Sequence, residues 1–166
     1  MILHVISIMR NEEAFLPYFL RHYSTFADKI IVLLDITSTD KTREILLANP
    51  LVELHEINFD NGFNEEDVSL FHEMAYKKYS RGIADWTIHV DSDEFVYKTE
   101  IRQALEALRS RGIQIIKCAG YVMISEVFPT TTGQVYEESD KGVRSTLHDK
   151  VNIIDPGLDV KWKRGR

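Results

Sequence analysis

Positive charge is in short supply in this sequence, cysteine is almost absent, and no apolar run is long. Lys and Arg number 20 against 26 Asp and Glu, a formal net charge of −6, and the basic residues are scattered rather than gathered into a stripe. Such a chain offers no electrostatic footprint for nucleic-acid phosphates, so nucleic acid is not an expected partner. The lone Cys118 excludes an internal disulfide; it lies in an apolar run, reads as a small core residue, and fits a reducing, cytoplasmic setting. No apolar run reaches the ~18 residues a membrane span needs. The opening stretch Met1 to Met9 is followed at once by Arg10-Asn11-Glu12-Glu13, so it reads as a strand rather than a signal. Internal repeats and low-complexity tracts are also missing.

With 166 residues, 44% of them hydrophobic, there is enough material for one substantial core and too little for two, so residues 1–166 are expected to form a single domain. Its last residues, Asp159 to Arg166, make a basic tail around Trp162 with no obvious stop. A native chain continuing past Arg166, of which this is a truncated version, is left open.

Strands and helices alternate in the pattern. Ile2 to Met9 is short, apolar and β-branched, as a strand buried on both faces should be. Phe15, Phe19, Tyr23 and Phe26 then recur at helical spacing, with Pro17 near the helix start. Lys29 to Leu34 repeats the strand pattern and closes on Asp35. Thr37-Ser38-Thr39-Asp40 supplies capping groups for a helix running through Leu47. Val52 to Ile57 is a third strand, 58–64 a polar loop, and Glu65 to Ser80 a helix with Val68, Phe71, Ala75 and Tyr79 on one side. A fourth strand, Trp86 to Val90, runs into Asp91-Ser92-Asp93-Glu94, and a helix carrying Ile101, Leu105 and Leu108 follows and stops near Gly112. Further strands are expected at Ile113 to Ala119, Tyr121 to Phe128 and Leu147 to Ile154, with a loose stretch from Pro129 to Gly142. This alternation implies an α/β fold with a mostly parallel central sheet flanked by helices.

In such sheets ligands bind beyond the carboxyl ends of the strands. The polar residues falling there are Arg10-Asn11, Asp35, 58–64 and Asp91 to Glu94. Side chains two apart in an extended segment point the same way, so Asp91 and Asp93 can face one cation while Ser92 faces away. Oxygen ligands of this kind suit Mn²⁺ or Mg²⁺, the latter commonly held by one or two carboxylates plus substrate phosphates. The same acids also suit a solvated strand-to-helix turn. An EF-hand is excluded, because Glu94-Phe95-Val96 supplies neither the third acid nor the glycine of that loop. His22, His55, His72 and His89 read as partly buried structural histidines.

Three strings in order, Ile6-Ser-Ile-Met-Arg-Asn-Glu-Glu13, Ile30-Ile-Val-Leu-Leu-Asp-Ile-Thr-Ser-Thr-Asp-Lys-Thr42 and Trp86-Thr-Ile-His-Val-Asp-Ser-Asp-Glu-Phe95, resemble family 2 glycosyltransferases of the GT-A (Rossmann-like) fold. The likeness is greatest to the branch with an Arg/Lys-Asn-Glu opening and an Asp-x-Asp-Glu-Phe metal motif, and it covers roughly residues 1–128. It implies a metal-dependent enzyme of hexosyltransferase type that moves a sugar from a nucleoside diphosphate, UDP by expectation, to an unidentified hydroxyl acceptor. Asp35 would touch the uracil or ribose side; Ser38, Thr39, Asp40 and Thr42 match the family pattern, whereas Ile36, Thr37 and Lys41 depart from it. Asp91 would lie near the ribose or a metal water, and Asp93 would be the direct metal ligand, with Glu94 as second choice. Arg10 and Asn11 fall on the nucleotide-side segment, although Asn11 suits a helix cap equally well. Lys150 reads either as a diphosphate contact or as a solvated strand lysine, and Trp162 either stacks on a sugar or packs.

The family's catalytic base and its late metal-ligating histidine have no clear counterpart. Glu126, Glu137 and Asp155 are conceivable bases, and His148 precedes Lys150. The catalytic residue is therefore unassigned. A non-catalytic module that keeps nucleotide and metal binding is the main rival reading. An aspartate-based phosphatase, with Asp91 attacking phosphate and Asp93 as its acid partner, fits less well because Glu94-Phe95 stands where Gly-Thr is expected.

Overall fold

The computed structural model of the chain describes residues 1–59, 62, 64–129 and 133–162. Residues 60, 61 and 63 of the polar loop, 130–132 of the loose stretch and 163–166 of the basic tail lie outside the described residues.

The opening run forms β1 (Leu3–Met9), buried at every position. Its side chains alternate between two cores. Leu3, Val5 and Met9 join one cluster with Ile30, Val32, Leu34, Trp86 and Ile88, while Ile6 and Ile8 join Ile31 and Leu33 in the other. A period-2 chain covered on both faces favours apolar residues on both, which is why the run shows no regular alternation with polar ones, His4 and Ser7 being its buried exceptions. Next come α1 (Leu16–Tyr23), with Pro17 in its first turn, and β2 (Lys29–Asp35). α2 (Thr42–Leu47) and β3 (Val52–Ile57) follow. α3 (Glu65–Tyr79) is capped by Asn64, whose side-chain oxygen accepts from the Asp67 N–H at 3.0 Å. β4 (Trp86–His89) and α4 (Ile101–Ser110) complete the regular part.

The helix α4 ends where the sequence places its glycine. Gly112 has φ +76°, its N–H donates to Arg109 O, and that of Ile113 reaches Leu108 O. This is a Schellman closure that a left-handed residue permits.

β5 (Ile115–Cys118) and β8 (Lys150–Ile154) join β1 to β4 in a six-stranded sheet of order β3-β2-β1-β4-β8-β5. Only β8 runs against its neighbours, so the sheet is mostly parallel, as expected. The core of α1 and α4 lies on one face, with Phe19, Tyr23 and Leu105; α3 covers the other through Ala75, Tyr76, Val68 and Phe71. Each large side chain buried in these layers contributes roughly 1.5–3 kcal/mol. Trp86, Tyr23, Tyr76 and Phe19 are the largest of them.

The second half departs from expectation in two places. The strand at Tyr121 does not enter the main sheet: β6 (Tyr121–Ile124) pairs with β7 (Lys141–Arg144) in a separate ribbon. The stretch read as loose contains β7 and the short helix α5 (Val135–Glu138). Gly120 is the corner between the two sheets. A Cβ there would sit 2.4 Å from the His148 carbonyl group, so only glycine lets the chain turn away at that contact.

Candidate functional site

The strand order reverses at β1, with β2 and β3 on one side and β4 on the other. In a doubly wound sheet the crevice opens at that switch point, beyond the carboxyl ends of the strands. Three loops meet there, following β1, β2 and β4.

The first two are stitched together. The Asn11 N–H donates to Ser38 Oγ at 3.3 Å, and the Thr39 N–H donates to Asn11 Oδ1 at 2.8 Å. The Glu12 N–H donates to Thr42 Oγ1 at 2.7 Å, the Glu13 N–H to Asp40 Oδ2 at 3.0 Å, and the Lys41 N–H to Glu13 Oε2 at 3.1 Å. Asn11 makes a contact that neither of its readings anticipated. It does not cap α1, whose N-cap is Phe15. With φ at +57°, a conformation asparagine tolerates better than most residues, it braces the loop after β2. Asp35 closes β2 with 1% exposure, and its Oδ1 accepts from the Thr37 N–H at 2.9 Å. Arg10 is exposed beside this pair of loops.

The loop after β4 is held from two sides. Ser92 Oγ donates to Glu12 Oε2 at 2.6 Å, while Tyr23 OH donates to Glu94 O at 2.9 Å and accepts from the Val96 N–H at 3.0 Å. The segment is not extended as expected: β4 ends at His89, and Asp91 to Glu94 form a turn closed by the Glu94 N–H donating to Asp91 O at 3.1 Å, which leaves Asp91 and Asp93 exposed and Ser92 buried. Burial raises the Glu12 carboxyl above its ordinary range; the Ser92 hydrogen bond opposes this, and the charges of Asp93, Asp40 and Asp91 add to it.

The insertion of β8 beside β4 brings Lys150 to the same place. Its Nζ lies 3.4 Å from Asp91 Oδ2 and also bonds Glu94 Oε1. Burial works against the ammonium, but the two carboxylates outweigh it and hold Lys150 above the ordinary lysine value. β8 is pinned there by Asn152, whose Nδ2 donates to His89 O at 2.9 Å. Beneath Asp91, His89 and His72 form a buried pair, Nδ1 to Nδ1 at 3.2 Å. Burial depresses both imidazoles, and the Trp162 ring packs against them with its centroid 4.5 Å from His89.

Asp91, Asp93, Arg10, Asn11, Asp35 and Lys150 therefore all fall at one end of the sheet. Of the conceivable bases, Asp155 follows the far end of antiparallel β8 and serves the Gly157 N–H, and Glu137 closes a capping box on α5 through the Gln134 N–H. Glu12 and Ser92 were not singled out by sequence; the signal available was the Asn-Glu-Glu string itself and the inward phase of Ser92. No group of three or more metal-ligating side chains occurs among the described residues, and no helix among them is long and apolar enough to cross a membrane.

No protein-family model and no curated protein matches the sequence. Among solved structures, the crystal structure of S. aureus TarS 1-349 aligns with a TM-score of 0.53 and 19% identity, over 69% of this chain and 34% of that one. The crystal structure of 4-diphosphocytidyl-2C-methyl-D-erythritol synthase aligns with a TM-score of 0.53 and 14% identity, over 95% of this chain and 75% of that one. The chain thus spans about a third of the TarS structure it matches. At such identities the likeness is one of fold, and the fold of this chain is the GT-A-like, Rossmann-like α/β arrangement.

Proposed function

We propose that the chain binds a nucleoside-diphosphate sugar, UDP-linked by preference, with Mn²⁺ or Mg²⁺ held by Asp91 and Asp93, and passes the sugar to a hydroxyl acceptor as family 2 glycosyltransferases do. One observation carries this reading: the three loops carrying the resemblance meet at the switch point of the sheet, joined through Ser92 and Glu12. The fold shared with a synthase named for a diphosphocytidyl product is in keeping with it.

The donor set fits a hard cation. Carboxylates alone are offered, and since no third protein ligand joins them among the described residues, the remaining positions would go to diphosphate oxygens and water. When bound, the cation supplies neutralisation of the charge on the departing diphosphate. The chain's own residues do the rest. Lys150, now shared between Asp91 and Glu94, turns its ammonium toward a diphosphate oxygen, and Arg10 adds a second positive group at the rim. The braced 38–42 loop orients the nucleoside. Asp35, buried and with Oδ1 accepting from the Thr37 N–H, shapes the floor of that loop, and its second oxygen is the one left for the base or ribose.

A rival reading has the same site without turnover, and the position of Asp155 at the opposite end of β8 from Lys150 favours it. Calorimetric titration of UDP with Mn²⁺, without it, and into Asp93→Ala tests the donor site: metal-dependent binding lost in the variant is expected, and no binding under any condition overturns the proposal. Release of UDP from radiolabelled UDP-sugars then separates an enzyme from a binding module, and turnover of simple phosphate esters would instead favour a phosphatase.

A further inference from the structure

A second concavity lies on the α1 and α4 face of the sheet, behind the metal motif. It encloses about 400 Å³ between His22 and Phe26 of α1, Tyr97 and Lys98, the first turn of α4, and Tyr136 of α5. Two features of it ask for hydrogen bonds that the chain does not make.

The first is His22, 2% exposed. Its Nε2 lies 3.0 Å from Val96 O, an acceptor only, so Nε2 carries the proton. Burial depresses the imidazole, the Val96 contact opposing it, so the ring is neutral and Nδ1 is a bare acceptor. That atom is buried and has no partner, a situation that costs about 1–3 kcal/mol. The second is the start of α4. Glu100, its N-cap, makes no side-chain capping bond, and no acid occupies the first turn. The N–H groups of Ile101, Arg102 and Gln103 form no hydrogen bond among the described residues, where a helix normally finds caps for them.

Aromatic rings line the remainder. Tyr97 and Tyr136 have centroids 4.7 Å apart at 53°, and Tyr136 stands edge-on to His22 at 5.6 Å. Tyr97 is 64% exposed, an apolar face left open to solvent with a polar tip. A ligand suited to all three features must donate a hydrogen bond to Nδ1, accept from backbone N–H groups and lay a nonpolar face on tyrosine. A pyranose does each, since every hydroxyl both donates and accepts. A carboxylate suits the helix terminus and the neighbouring Lys98 and Arg102, but it can neither donate to Nδ1 nor lay a nonpolar face on tyrosine.

We infer that this concavity is a saccharide-binding site. Tyr97 stands four residues after Asp93, so the two lie within about 14 Å of one another along the chain, close enough for a bound oligosaccharide to serve as the hydroxyl acceptor. That acceptor role rests on the donor-site reading, whereas the binding does not. Nδ1 is covered in this structure, the His22 ring lying among those of Tyr23, Phe26, Phe95 and Tyr136; the inference requires one of them to move, and Tyr136 is the choice because α5 buries none of its residues.

The test is titration of the full chain with maltose, cellobiose, lactose and chitobiose, followed by backbone amide and histidine ring nitrogen resonances, with UDP and Mn²⁺ added afterwards to the same sample. At least one disaccharide is expected to move the Ile101 to Gln103 amides and the His22 Nδ1 signal, with affinity falling about tenfold in Tyr97→Ala. Tyr97→Phe should retain binding. Silence of these signals with all four sugars, or unchanged affinity in Tyr97→Ala, overturns the inference even if UDP binds. Sugar binding without UDP binding upholds the site and sinks the donor-site reading instead.

Discussion

Replacement of Lys150 by methionine separates the role that the structure gives its ammonium from the one proposed for it. Lys150 now neutralises Asp91 and Glu94, on side chains 44%, 51% and 27% exposed respectively. Partly exposed ion pairs of this kind contribute roughly 0–1 kcal/mol each, so the two together amount to about 1 kcal/mol. A cation approaching Asp91 must displace or share that ammonium. In Lys150→Met the competition disappears, and we predict that Mn²⁺ alone binds about fivefold more tightly. The opposite is expected once nucleotide is present. A charge-assisted bond to a diphosphate oxygen is worth about 1.5–3 kcal/mol, so UDP in saturating Mn²⁺ should bind at least tenfold more weakly. Methionine keeps most of the stem packing, which limits loss of folding. Calorimetry of Mn²⁺ alone and of UDP with Mn²⁺ reads both numbers. Equal or weaker Mn²⁺ binding in the variant would refute the claim that Lys150 occupies the cation's place; undiminished UDP binding would refute its diphosphate role.

Further predictions concern the supports of the site. Asn11→Ala removes the acceptor for the Thr39 N–H and leaves a positive φ without a residue that tolerates it; a loss of about 1–2 kcal/mol in denaturant unfolding is expected, with faster amide exchange at Thr39, and unchanged exchange there would count against the bracing role. Gly120→Ala places a methyl 2.4 Å from the His148 carbonyl group and should cost about 1–3 kcal/mol; a denaturant midpoint equal to wild type would show that the corner is not tight. Burial holds His4, His22 and His72 below the ordinary imidazole value of 6.5, most strongly His72, with Lys29 adding to the effect at His4. Their folded-state values lie below the unfolded ones, so the unfolded chain binds more protons and stability rises with pH in this window. Melting temperature should be nearly level above about pH 7 and fall as pH drops through about 6.5; a rise on acidification to about pH 5 would contradict the assignment.

How much of this was legible beforehand depended on how local the cause was. The first four strands and four helices follow from periods that any ten-residue window displays, and they appear within a few residues of their expected ends. That Asp91 and Asp93 are exposed and Ser92 buried agrees with the expected phase, but the cause differs: a turn closed by Glu94 N–H to Asp91 O, with Ser92 held by Glu12, and not an extended backbone, sets it. The β6–β7 ribbon was not legible. The β6 residues Tyr121–Ile124 are apolar enough for a core strand yet remain exposed at every position, and their partner is β7, a distant Lys-Gly-Val-Arg segment with no strand pattern of its own.

The amino-acid sequence by itself determined a mostly parallel α/β sheet with Arg10, Asn11, Asp35, Asp91 and Asp93 at the carboxyl ends of its strands, because hydrophobic periodicity dictates where each strand stops. Tertiary structure alone decided what those residues meet. Lys150 reaches Asp91 across 59 residues, Asn152 reaches His89 across 63, and Ser92 reaches Glu12 across 80. Such pairings depend on strand order and on the reversed direction of β8, and neither leaves a trace in local pattern. The pairing of His72 with His89 and the bracing role of Asn11 have the same origin: a side chain's chemistry is fixed by its type, but its partner is fixed by the packing of distant elements.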